Sequence, residues 1–300
     1  MEIPAFLNDL LVKQYGEETA QRIARGYAAQ RAVTLRANTL KTDAETVRAK
    51  LKEKGIETQG VLFSPDAMIA PGVREDALTG LDLYENGEIY LQSLSSMIPP
   101  LFLGAQPGEN VLDMAAAPGG KTTQIAALTG NRAMITACEM NKIRADRLRY
   151  NVARQGASRV TVMNIDSRNL DDLFSFDRVL LDAPCSGSGT VQLLNPRSKG
   201  QFNAGNLAKT TKMQETLLLK ALRLLRPGSE MIYSTCSVLA QENEDIVSRV
   251  LKKANAEVVP LDLAEFEDVP KLPVKIPGTL CVCPDELYEG FFVAKLRRKK

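Results

Sequence analysis

Residues 110–122 read NVLDMAAAPGGKT, and no other stretch limits the possible folds as much. Val111 and Leu112 make a short apolar run closed by Asp113, tiny residues follow, and Lys121 leads into an amphipathic segment. That order spells a buried strand, a tight turn and the first turns of a helix. Tiny side chains let backbone approach a ligand closely, and the N–H groups at the helix start face the crevice above the strand. From here on the pattern is regular. Strands are expected at 111–114, 134–138, 160–164, 178–182, 231–235 and 291–296, and helices at 122–128, 141–155, 207–225 and 241–253. Alternation of this kind builds a mostly parallel sheet covered on both faces, so the fold class is α/β.

The earlier part of the chain reads differently. Residues 3–30 carry apolar positions at helical spacing, 33–36 suggest a strand, 44–54 a helix and 56–63 a second strand, with Gly55 as a stop and a further short strand near 89–91. These elements would form a small α+β module. PGVREDALTG (71–80) and LFLGAQPGEN (101–110) look like loops, and a boundary near 104–109 divides the chain into domains of 1–104 and 105–300.

Composition mainly excludes. The sequence holds no histidine, so no His-dependent triad or His-ligated metal is possible, and proton transfer falls to Asp, Glu, Lys, Cys or Tyr. Cys138, Cys185, Cys236, Cys281 and Cys283 are odd in number and mostly scattered, which points to thiols rather than a disulfide framework. Cys281 and Cys283 lack a second ligand pair nearby, and no metal is expected. No run approaches membrane-spanning length and the first residues carry no basic leader, so the expected location is cytoplasmic, with no membrane partner. A net charge of +2 decides nothing by itself. The basic clusters do say something: Arg144, Arg147, Arg149, Arg154 and Arg159, then Lys209, Lys212, Lys220, Arg223 and Arg226, then a terminal KLRRKK, all lie in the second part of the chain. Such clusters are often plain solvated faces, but their confinement points to a polyanionic partner.

Ligands of doubly wound sheets sit outside the carboxyl ends of the strands. The residues there are Asp113, Glu139, Asp166, Asp182 and Cys236. The loop Ala115, Ala116, Ala117, Pro118, Gly119 and Gly120 supports two cofactor readings beside that of an ordinary turn. With Lys121 and Thr122 it fits a loose phosphate-loop pattern, for which Asp182 could pass as the metal-binding acid. It equally fits the cradle of S-adenosylmethionine. Glu139 is placed to accept from ribose hydroxyls and Asp166 to meet the adenine amino group. Acids at 139, 166 and 182 together describe an adenosine pocket, whereas a phosphate-loop enzyme gives Glu139 no such role. Two thiols stand at the same sheet edge, Cys185 in LLDAPCSGSGT and Cys236 in IYSTCSVLAQENE. A buried cysteine is usually an inert packing residue. Two of them, each beginning a loop of small residues, are harder to dismiss.

AAPGGKT, DAPCSGSGT and YSTCS with ENE resemble the Sun-type (NOP2/Sun, RsmB/RsmF-like) family of RNA cytosine-5 methyltransferases, and TLRANTLK (34–41), YLQSLSSM (90–97) and GFFVA (290–294) resemble further parts of it. One departure is Cys281-Val282-Cys283 before Pro284, where the family often carries an arginine. The resemblance implies a Rossmann-like, mostly parallel seven-stranded methyltransferase domain behind an RNA-recognition-like module, and S-adenosylmethionine as cofactor. It also implies an RNA substrate, ribosomal first and transfer RNA second, and a monomer. Its cofactor set is the 115–121 loop, Glu139, Arg144, Asp166 and Asp182. Cytosine carbon 5 is a poor nucleophile, and a thiolate adding to carbon 6 makes it enamine-like. The resemblance makes Cys236 that nucleophile, with Cys185 assisting breakdown of the adduct and Asp182 protonating ring nitrogen 3. The residues alone do not rank the thiols: Pro184-Cys185 matches the dipeptide that carries the nucleophile in DNA cytosine-5 methyltransferases. A phosphate-loop ATPase using Lys121 and Asp182, and a non-catalytic RNA-binding assembly factor, stand as the alternatives.

Overall fold

The computed structural model of the chain describes residues 3–194 and 202–300. It opens with α1 (Ala5–Ala28), one helix broken in direction at Gly16, whose φ of 78° only glycine adopts easily. Next come β1 (Val33–Ala37), α2 (Ala44–Glu53), β2 (Gln59–Val61), β3 (Ser64–Ala70), α3 (Glu75–Thr79), α4 (Asp82–Glu85) and β4 (Ile89–Leu91). Asp43 caps α2, accepting from the Thr46 N–H at 2.8 Å, and Val47 and Leu51 then face the apolar side of the sheet at Leu35 and Met68. The four strands pair antiparallel in the order β2-β3-β1-β4. Leu7, Leu11, Ile23 and Tyr27 of α1 are buried in a different core, together with Leu218, Leu222 and Phe292.

The second sheet follows: α5 (Leu94–Leu103), β5 (Asn110–Asp113), α6 (Gly120–Leu128), β6 (Met134–Cys138), α7 (Lys142–Arg154), β7 (Val160–Met163), β8 (Phe176–Asp182), α8 (Ala204–Leu224), β9 (Leu225–Thr235), α9 (Glu244–Leu251), β10 (Ala256–Val259), β11 (Leu280–Val282) and β12 (Phe291–Arg298). The order is β10-β12-β9-β8-β5-β6-β7, with β11 as an eighth strand beside β12. From β7 to β9 neighbours run parallel, whereas β12, β10 and β11 pair antiparallel. This is the expected Rossmann-like α/β sheet. The direction of winding reverses between β5 and β8, which puts the crevice above Asp113 and Asp182.

The structure corrects four sequence expectations. The strand expected at 56–63 is the hairpin β2–β3, turned by Leu62 and Phe63 without the Gly or Asn that usually marks a two-residue turn. The loops expected at 71–80 and 101–110 contain α3 and the end of α5, and α5 continues through Pro99 and Pro100, both buried. Ser93 caps α5, accepting from the Ser96 N–H, and the helix lies between α6 and strands β8, β9 and β12, so packing outweighs the missing proline donors. β10 and β11, of 4 and 3 residues, are too short for a periodic signal. β9 starts at Leu225 rather than 231, running through Pro227 and Gly228, which read as breakers.

One buried side chain ties the two sheets together. Arg36 of β1 donates from Nε to Gln92 Oε1 at 3.0 Å and from its terminal nitrogen to Gly120 O at 3.1 Å and Thr123 Oγ1 at 2.7 Å. The first turn of α6 is therefore held from the smaller sheet. Among the described residues, no helix is long and apolar enough to cross a membrane.

Candidate active site

The loop between β5 and α6 is pinned from below. Met114 N–H donates to Leu180 O at 3.0 Å and Ala116 N–H to Cys138 O at 2.9 Å. Gly119 closes it at φ 112°, where a Cβ would lie 2.9 Å from Leu148 Cδ1, so both conformation and space require glycine. Thr122 Oγ1 donates to Asp113 Oδ2 at 2.7 Å, while the buried Oδ1 has no hydrogen-bond partner. Burial pushes the Asp113 carboxyl up to about 6, against 3.8 for an ordinary aspartate. The unfolded chain ionises this group first, so folding loses stability as pH rises from about 4 to about 6. The advantage of Asp113→Asn over wild type should therefore grow by roughly 3 kcal/mol between pH 4 and 7 in urea unfolding. A difference independent of pH would contradict this account of Asp113.

Asp182, at the end of β8, accepts from Lys121 Nζ at 2.6 Å and from Ser234 Oγ at 2.8 Å. Lys121 Nζ also donates to Ser96 Oγ at 2.7 Å and lies 5.3 Å from the Phe291 ring centre. The ammonium thus bridges α5 and β8 instead of reaching over the loop, where a phosphate-loop lysine would have to be. Asp113, Ala115, Ala116, Ala117, Pro118, Gly120, Lys121, Asp182 and Cys236 line one cleft of about 510 Å³, whose opposite wall includes Arg31, Thr34, Tyr90 and Gln92. Cys236 Sγ lies 3.1 Å from Cys185 Sγ, close enough for a sulfur–sulfur hydrogen bond. Cys185 itself opens onto a separate groove with Phe6, Met213 and Leu239. The two loops are laced together by backbone: Gly189 N–H donates to Cys236 O at 2.9 Å and Gly290 N–H to Gly189 O at 2.8 Å. A Cβ on Gly189 would fall 1.9 Å from Gly290 O, so no side chain fits there.

Glu139, Arg144 and Asp166 line an adjoining groove that shares Ala115 with the cleft. The Glu139 carboxylate accepts from the Asn141 N–H at 2.8 Å and pairs with Arg144 at 3.3 Å, and Arg144 also donates to Ala117 O at 2.9 Å. Both Asp166 oxygens are held by Arg168, whose hydrogen bonds keep that carboxyl below the usual aspartate range. The structure thus brings together every residue singled out at the strand ends, though in two connected hollows. Sequence reasoning missed Ser96 and Ser234, which hold Lys121 and Asp182; their signal was their place inside YLQSLSSM and IYSTCS. Cys281 and Cys283 lie buried, and burial raises both thiols.

Residues 100–297 match the family described as 16S rRNA methyltransferase RsmB/F, and residues 3–71 match the ferredoxin-like domain of RsmF/B-like methyltransferases. The ribosomal RNA small subunit methyltransferase F of Serratia proteamaculans is 36% identical over 272 residues, covering 88% of this chain and 56% of that protein. The protein of that name from Shewanella amazonensis is 34% identical over 273 residues, covering 89% of this chain and 58% of that one. The chain thus spans little more than half the length of these relatives. Among solved structures, a methyltransferase homolog from Pyrococcus horikoshii superposes with a TM-score of 0.82 at 30% identity, over 99% of this chain and 100% of that one. NSun6 from the same organism, solved with SFG, shares the fold with a TM-score of 0.89 at 23% identity, over 99% of each chain. With the catalytic-domain match covering well over half of its residues, the chain belongs to the RsmB/F family of 16S rRNA methyltransferases.

Proposed function

We propose that this protein is an S-adenosylmethionine-dependent RNA cytosine-5 methyltransferase acting through a covalent adduct on Cys236, with small-subunit ribosomal RNA as its first substrate class and transfer RNA as its second. The observation that carries the reading is the convergence of Cys236, Asp182 and the small-residue loop on one cleft, with a second thiol 3.1 Å behind the first. The residues fit the cofactor. The loop admits close approach because Ala115, Ala116, Ala117 and Gly120 line the cleft with almost no side chain, and the unpartnered Asp113 Oδ1 suits a positively charged ligand. The 115–121 loop, Arg144 and the Glu139 and Asp166 groove would hold S-adenosylmethionine, Glu139 and Asp166 taking its ribose and adenine. Bound there, S-adenosylmethionine supplies an electrophilic methyl group.

The chain's own side chains then act on the base. A cytosine must leave its stack to expose carbons 5 and 6 to a cleft. Cys236 adds to carbon 6 and turns carbon 5 into the nucleophile it otherwise is not. Asp182 hydrogen-bonds ring nitrogen 3 and hands it a proton, for which the Lys121 ammonium at 2.6 Å is a source. Once carbon 5 carries its methyl group, the carbon 5 proton leaves, the thiolate is expelled with assistance from Cys185, and ring nitrogen 3 returns its proton to Asp182.

The deciding experiment incubates the protein with unmodified small-subunit ribosomal RNA and transfer RNA and labelled S-adenosylmethionine, then digests the RNA to nucleosides. Labelled 5-methylcytidine is expected. Label confined to other nucleosides, or absent from both RNAs, would sink the reading. In calorimetry, Glu139→Ala and Asp166→Ala should each weaken S-adenosylmethionine binding by about tenfold or more, the loss of hydrogen bonds at a buried polar subsite, with melting temperatures near wild type. Unchanged affinity in both would remove the adenosine-pocket assignment.

A further inference from the structure

The turn after Cys236 carries three buried polar side chains in succession, Glu242, Asn243 and Glu244. Asn243 holds the Cys236 loop: Thr235 Oγ1 donates to its Oδ1 at 2.5 Å, and its Nδ2 donates to Ser237 O at 2.9 Å. Glu242 reaches the other way. Its Oε1 accepts from the Ser186 N–H at 2.8 Å and Thr210 Oγ1 at 3.0 Å, and its Oε2 from Ser186 Oγ at 2.6 Å. A fully buried carboxylate is costly, and here it is spent one residue from Cys185. Adjacent residues of one turn thus hold the two thiol loops, and the turn sets the sulfur–sulfur separation.

We infer that Glu242 is a positioning residue that keeps Cys185 a hydrogen-bond donor to Cys236 and so gives the two thiols their different roles. The inference rests on the proposed reaction. The groups around Cys185 are Cys236, Glu242 and Tyr233, with Asp182 at the end of its own strand and Lys209 lining its groove. The Cys185 thiol is raised first by its hydrogen bond with Cys236, then by burial, and further by the charges of Cys236 and Glu242. A thiol held this way stays protonated, so its S–H remains available to the neighbouring sulfur. When the adduct breaks, the carbon 6–sulfur pair returns to Cys236 as thiolate, the carbon 5–hydrogen pair closes the ring double bond, and the proton passes to water in the cleft. The Cys185 S–H stabilises the departing thiolate across 3.1 Å.

Glu242→Gln removes the charge and keeps one acceptor: its amide oxygen can still take the Ser186 N–H and Thr210 Oγ1, while its amide nitrogen meets the Ser186 hydroxyl as a donor. In a Cys236→Ser background without RNA or cofactor, the pH midpoint for alkylation of Cys185 should fall by about one unit in Glu242→Gln, because the nearby charge that opposed the thiolate is gone. A loosened loop would raise the alkylation rate at every pH and leave the midpoint in place; an unmoved midpoint overturns the inference. With Cys236 intact, Glu242→Gln should perform its first methyl transfer within about threefold of wild type, and the pH above which turnover falls and adduct accumulates should be lower by about one unit than in wild type. Cys185→Ala, run in parallel, separates the two ideas. If it accumulates no adduct, the proposed reaction fails, and the alkylation midpoint still decides whether Glu242 controls Cys185. If it accumulates adduct and Glu242→Gln does not, only the role of Glu242 in release falls. Should Glu242→Gln not fold, Ser186→Ala cuts one of the loop's two bonds to Glu242 with the charge in place. It should slow release with little change in midpoint, and release at the wild-type rate would overturn the inference.

Discussion

Cys236→Ala is expected to transfer no methyl group and to form no covalent complex with RNA, whereas Cys185→Ala should methylate once and then stay attached to its product. The two sulfurs are 3.1 Å apart, yet only Cys236 lines the cleft that holds Asp182 and the small-residue loop, and Cys185 opens onto a different groove. A nucleophile must reach carbon 6; a group that aids expulsion need only reach the other sulfur. Removing a nucleophile commonly costs about a millionfold in rate. Loss of a buried thiol costs stability of only about 1 kcal/mol, too little to mimic that effect. Denaturing electrophoresis after incubation with RNA and S-adenosylmethionine, with melting temperatures measured alongside, reads both outcomes. Adduct in Cys236→Ala and none in Cys185→Ala would invert the assignment, as the Pro184-Cys185 dipeptide suggests on its own. No adduct in either variant, with activity tracking stability, would reduce both thiols to packing.

Asp182→Asn should lower the rate of adduct formation by about 10²- to 10⁴-fold, the range for losing a positioned proton donor. The carboxylate is the one group of the cleft bound at once to Lys121 and Ser234, so the asparagine leaves the Lys121 ammonium facing an amide. Its signature is opposite to that of Cys185→Ala. Slow attack leaves little adduct at any time. An Asp182→Asn enzyme that forms adduct at the wild-type rate would free Asp182 of any part in proton delivery. Lys121→Met should fall between the two, since Ser234 still orients the carboxylate.

The sequence made the strand-end residues legible and hid what holds them. Asp113, Glu139, Asp166, Asp182 and Cys236 each close a run of apolar residues, and a parallel sheet must bring such positions to one edge. Their supports lie far away along the chain. Ser96 meets Lys121, and Glu242 meets Ser186, across 25 and 56 residues of chain, so no periodic pattern could announce them. Local chemistry also misled where tertiary packing prevailed. The stretch 101–110 read as a loop, but α5, sandwiched between α6 and the sheet, runs through Pro99 and Pro100 to Leu103. Leu62 and Phe63 turn a hairpin with no turn residue between the strands. Asp166 was found at a strand end and Arg144 through the family resemblance, while their engagement by Arg168 and Glu139 depends on side-chain geometry.

The placement of α1 bears on how the protein is made. Its buried face, Leu7, Leu11, Ile23 and Tyr27, sits in a core completed by Cys281, Phe292 and Ala294, and the Tyr27 hydroxyl donates to Ser188 O in the Cys185 loop. On a ribosome α1 emerges before the strands it packs with. Until β12 has been made this helix can have no complete native seat. Contacts of such long range are slow to form, because loop closure precedes any gain from them. The helix is thus a late closure on a nearly finished sheet, and its docking fixes the Cys185 loop only once β12 is in place.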